Sequence, residues 1–95
     1  MELRFSARTR RQLAALKEYL SKQDQTVAER VGSRILAASK TLQDFPYIGH
    51  VGRAPGTREL GVSRLPYIIV YEVNLGDIDE VMVLGVFHGS QDRDW

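Results

Sequence analysis

The sequence predicts an α+β fold in the order β-α-α-β-β-β, a helical hairpin packed on a mostly antiparallel four-stranded sheet. Three observations lead there. Residues 67–73 and 80–87 are two apolar, β-branched runs joined by the turn-like Asn74-Leu75-Gly76-Asp77, which reads as a β-hairpin. Residues 7–45 hold two blocks of apolar side chains at helical spacing with a short polar break between them. Ahead of both, Leu3 and Phe5 alternate with Glu2, Arg4 and Ser6, the pattern of a strand with one apolar face. A chain of 95 residues, 43% of them apolar, makes one domain over 1–95 with a thin core.

Each element has its own warrant. Ser6 can cap the first helix by accepting from a free N–H of its opening turn. From Ala7 to about Lys22, Leu13, Leu16 and Leu20 recur at helical spacing with Tyr19 beside them, while most charged residues fall elsewhere on the wheel. Residues 21–25 form the break, and Asp24 or Thr26 starts the second helix. Thr26-Val27-Ala28-Glu29 fits the capping-box pattern. Ala28, Val31, Ile35, Ala38, Leu42 and Phe45 then form a narrow apolar seam. Gly32 lies within it, a cost of about 1 kcal/mol that a close packing approach could offset. A link this short joins the helices as an antiparallel pair. Pro46 ends the second helix, because the residue before proline is pushed out of helical geometry.

The loop over 46–56 has Pro and Gly at short intervals and is long enough to serve a function. A strand follows over 57–62, with Arg58, Leu60 and Val62 on one face. A turn at 63–66 leads into the central hairpin.

Composition excludes several classes. Without cysteine there are no disulfides and no thiolate ligands. Two histidines without a nearby acidic cluster do not make a metal site, and no cofactor is expected. No apolar run is long enough to cross a bilayer and the first residues open no signal peptide, so a cytoplasmic location is expected. Net charge is +1 but uneven: residues 1–40 hold nine Lys/Arg against four Asp/Glu, and residues 41–95 hold four against eight. That is ordinary helix surface, or a basic helical face that meets an acidic partner.

With the element order in place, the chain resembles the RelE/ParE superfamily of toxins from bacterial type II toxin–antitoxin pairs. The likeness is carried by Pro46 with Gly49 after the second helix and by Gly56-Thr57-Arg58-Glu59-Leu60 opening a strand. Pro66-Tyr67-Ile68-Ile69-Val70-Tyr71 in the next strand and Val86-Phe87-His88-Gly89 ending the last extend it. The spacing of the helices fits too, so the resemblance spans nearly the whole chain. It implies a growth inhibitor neutralised by a cognate antitoxin protein in a hetero-oligomer, meeting nucleic acid only indirectly, through that antitoxin or its target. It also implies one of two activities: RelE-like members cleave messenger RNA in the ribosome, and ParE-like members act on DNA gyrase.

Cleaving RNA through its own 2′-hydroxyl needs a base, cations around the phosphate, and an acid for the leaving oxygen. RelE-like nucleases supply much of this with Lys and Arg on the central strands. Here Ile68 follows Tyr67, Glu59 and Gly61 stand where lysines are expected, and His88 occupies a place where arginine is common. The near-neutral charge points the same way, since gripping RNA rests on phosphate neutralisation. The chain therefore reads as ParE-like.

Candidates for contact with the target are Arg53, Arg58, Arg64, His88, Arg93 and Trp95. Arg11, Leu13, Leu16 and Leu20 are candidates for the antitoxin groove. The alternative is a ribosome-dependent endoribonuclease in which His50, Arg58 and His88 surround the scissile phosphate, with Tyr71 or Trp95 against a base. A further alternative is a silent member that only binds its antitoxin. Each residue also has a plain reading: a solvated loop histidine at 50, a strand-ending histidine bonded to backbone at 88, an Arg58–carboxylate pair, and packing for Tyr67 and Tyr71.

Overall fold

A computed structural model of the chain describes residues 1–90. The elements are β1 (Glu2–Phe5), α1 (Ala7–Gln23), α2 (Gln25–Asp44), β2 (His50–Val51), β3 (Arg58–Gly61), β4 (Tyr67–Asn74) and β5 (Glu80–His88). The strands form one sheet in the order β1-β5-β4-β3-β2. β1 runs parallel to β5, and every other pairing is antiparallel. The sheet thus has five strands, not four. The addition is β2, inside the stretch read as a loop, where His50 pairs with Glu59 and Val51 with Arg58. Two residues are too few to show a period of two, so no alternation announces this strand.

The helices pack on one face. Val31, Ile35 and Leu42 of α2 form the core with Ile69, Tyr71, Val81, Val83 and Val86 of the central hairpin. Leu13, Leu16 and Leu20 of α1 are half-buried against it. The predicted seam of α2 is buried at Ala28, Val31, Ile35 and Leu42 but fails at its end. Phe45 is 61% exposed, because the backbone leaves helical angles there and swings the ring off the stripe. Tyr19 also faces solvent, on the flank of the leucine stripe. Gly32 has no close neighbour: a Cβ built there meets nothing within 4 Å, so no tight approach explains it.

Ser6 caps α1 as expected, its hydroxyl accepting from the Thr9 N–H at 3.1 Å. The cap of α2 is Asp24, whose Oδ1 accepts from the N–H groups of Thr26 at 2.9 Å and Val27 at 3.4 Å. The Thr26–Glu29 box does not form. The carboxylate, nearer the free N–H groups and charged, takes the place, and Glu29 accepts from Gln25 Nε2 instead.

α1 has a second task. β1 stops at Phe5, so beyond it the edge of β5 lacks a strand partner. The register of β4 and β5 slips there, with Val70 opposite Gly85 and Tyr71 opposite Val83, leaving Leu84 as a bulge. The start of α1 answers the exposed groups. The Ser6 N–H and the buried Thr9 hydroxyl donate to Val83 O, each at 2.9 Å. Ser6 Oγ donates to Leu84 O, and Gln12 Oε1 accepts from the Val86 N–H. An unanswered buried backbone group costs about 1–3 kcal/mol, so these polar contacts fix the helix on the sheet edge.

Candidate functional site

Directly paired residues share a face of a sheet. Tyr67, Ile69 and Tyr71 point toward the helices, and so do their partners His88, Val86 and Val83. Glu59 and Val70, paired with each other, lie on the opposite face. His50 pairs with Glu59 and shares that opposite face. The two imidazoles therefore stand on different faces, separated by three strand spacings, about 14 Å.

His88 lies edge-on to Tyr67, their ring centroids 5.7 Å apart, and its Nδ1 faces the Ser90 hydroxyl at 2.7 Å. It borders a cleft of about 390 Å³ between α1 and the sheet, shared with Gln12, Leu13, Leu16, Tyr67 and Val86. His50 is exposed, its Nε2 3.9 Å from Glu59 Oε1. Glu59 is only 6% exposed, and its other oxygen accepts from the Arg53 N–H at 3.1 Å. Where a phosphate-binding cation is expected, the sheet buries a carboxylate.

Arg58 pairs with no carboxylate among the described residues. Its Nε and Nη2 both donate to Gly49 O, at 3.0 and 2.6 Å, and Nη2 also reaches Tyr47 O at 3.2 Å. The guanidinium also lies over the Tyr47 ring, 5.4 Å from its centroid. Tyr71 works on the same loop from below. Its fully buried phenol donates to Pro46 O at 2.7 Å and accepts from the Gly49 N–H at 3.0 Å. Gly49 is obligatory, since a Cβ there would fall 2.6 Å from Glu59 O and 2.7 Å from the Tyr71 oxygen. The outcome is a loop pinned by Arg58 and Tyr71 that still holds Tyr47, Ile48 and Val51 in solvent. Rigid, exposed aromatic and aliphatic side chains are the usual anchors of protein interfaces.

The remaining candidates are dispersed. Arg53 is exposed in the 52–57 turn and Arg64 in the turn before β4. Arg11 is exposed on α1. Leu13 and Leu16 line a second groove, about 360 Å³, closed on its other side by Ala28, Gly32 and Leu36 of α2. Leu20 packs onto the core beyond it. Arg93 and Trp95 lie outside the described residues. The structure thus does not bring His50, Arg58 and His88 together, and it gathers no three His, Asp or Glu side chains into a metal site among the described residues. Two contributors were not legible as such. The sequence offers Tyr71 for packing or for setting its hydroxyl against a base, and instead that oxygen organises the loop; Gln12 carries no motif, because a side chain that caps a strand edge has no sequence period.

Against this geometry stand the known proteins. Residues 3–93 match the family model described as the ParE toxin of the type II toxin–antitoxin system parDE. The chain is 36% identical over 89 residues to "Putative toxin Y4kP" of Sinorhizobium fredii (strain NBRC 101917 / NGR234), covering 94% of this chain and 88% of that protein. Its fold is similar to that of a chain from the chromosomal ParDE TA system of P. aeruginosa, with TM-score 0.80 and 21% identity over 93% of this chain and 95% of the other. It is also similar to a YoeB/ParE toxin from Agrobacterium tumefaciens, with TM-score 0.53 and 16% identity over 93% and 98%. The chain belongs to the ParE family of type II toxin–antitoxin toxins. No helix among the described residues is long and apolar enough to cross a membrane.

Proposed function

We propose that this toxin arrests growth by adhering to DNA gyrase rather than by cutting RNA, and that a cognate antitoxin neutralises it. The observation that carries this reading is the fate of the cations. Arg58 is spent on loop carbonyls, a carboxylate occupies the sheet position where a phosphate would be gripped, and the imidazoles face opposite ways. A nuclease of this fold needs acid, base and cation around one phosphate. The pinned loop supports the binding alternative, because it offers an apolar tip at little ordering cost. The antitoxin is read as an amphipathic segment folding onto the groove between α1 and α2, whose lining is mainly apolar with Lys17 and Glu29 at the rim.

Inducing the toxin without its antitoxin tests the choice. Translated messages should stay full length while the DNA-damage response rises. Codon-biased cuts in those messages, lost in His88→Ala, would instead establish the nuclease.

A further inference from the structure

Part of the positive charge concentrated in the first 40 residues is folded against a residue from far along the chain. Arg30 and Arg34 stand one turn apart on α2. Arg34 Nη1 donates at 3.4 Å to Ser63 O, in the turn between β3 and β4. The next residue is Arg64, exposed, with φ 63°, the only positive-φ residue other than glycine among the described residues. Left-handed backbone costs a residue with a Cβ about 1–2 kcal/mol, and glycine would avoid it. None of these three guanidiniums has a carboxylate within ion-pair distance among the described residues, whereas Arg4 has Glu80 and Lys22 has Glu18. Ser33, Ala37, Gly61 and Ser63, close to them along the chain, are small and exposed. A peptide that orders itself on binding needs apolar area to offset that cost. The backbone of duplex DNA, with its dense line of charge, needs only closely set cations.

We propose that Arg30, Arg34 and Arg64 form a contact for the phosphodiester backbone of duplex DNA. The patch holds without cutting, because guanidinium groups stay protonated and transfer no proton. It does not depend on which enzyme the toxin poisons.

The test uses the full chain, freed of antitoxin, and a fluorescent duplex of arbitrary sequence followed by anisotropy. Three phosphate contacts give a slope of log affinity on log salt near −2.7, a loss of about 40-fold between about 50 and 200 mM salt. Arg30→Gln/Arg34→Gln/Arg64→Gly should lose at least about tenfold in affinity at the lower salt and flatten the slope. Arg64→Gly alone should weaken binding while raising the melting temperature, which separates a contact from a folding defect. Arg10→Gln/Lys22→Gln/Lys40→Gln, the same charge removed elsewhere, should bind within about twofold of wild type. Equal losses in the two triple variants, no binding by wild type, or equal competition by polyglutamate or single-stranded RNA would each overturn the proposal.

Discussion

The Tyr71 oxygen is at once donor to Pro46 O and acceptor from the Gly49 N–H, so one buried atom sets the exit of α2 and the entry to β2. Tyr71→Phe keeps the ring and strands both groups. It should cost about 3 kcal/mol, read from the shift of the denaturant midpoint at constant slope. Gly49→Ala should do at least as much harm, since its methyl meets a backbone carbonyl that cannot turn away. Arg64→Gly should gain about 0.5 kcal/mol, the relief of left-handed strain less the extra freedom of glycine in the unfolded chain. Gly49 was visible in the sequence as part of a Pro–Gly loop, but the roles of Tyr71 and Arg58 were not. Both depend on which carbonyls a folded loop leaves unpaired, and no local pattern records that.

Among the elements, the start of α2 decides between two caps that the sequence left open. Asp24→Ala should cost about 1 kcal/mol and Thr26→Ala under about 0.5, by the same denaturation measurement. A larger loss at Thr26 would contradict the cap seen here. The two helices and the central hairpin were readable because their apolar periods run over many residues. β2 is not, being two residues long, and apolar spacing puts Phe45 in the seam because period alone cannot see where a backbone leaves the helix. The bulge at Leu84 was equally invisible, since an extra residue in one strand leaves the apolar run unbroken.

The whole molecule is elongated, 42 × 25 × 24 Å, with the helical hairpin along one face of the sheet. Its groove is bordered by Leu36, which is 44% exposed, so a charge there should spare the core. Leu36→Glu should weaken antitoxin binding by at least about tenfold, a loss of about 1.4 kcal/mol, with the melting temperature nearly unchanged. Calorimetric titration checks this; unchanged affinity would move the antitoxin off the groove. The class of toxin was legible from the order of elements and from motifs spaced through the chain. The site was less so, because the positions that distinguish binding from cutting matter through their faces and partners: Glu59 turns out buried beneath the loop, and His50 and His88 are divided by the sheet.

Gyrase supercoiling in vitro bears most directly on the claim that this chain acts by adhesion. Relaxed plasmid, gyrase, ATP and a titration of the folded, full-length toxin are sufficient. Supercoiling should fall as toxin approaches and passes equimolar amounts, with linear DNA accumulating from trapped cleavage complexes. Full supercoiling under a large excess of folded toxin would contradict it.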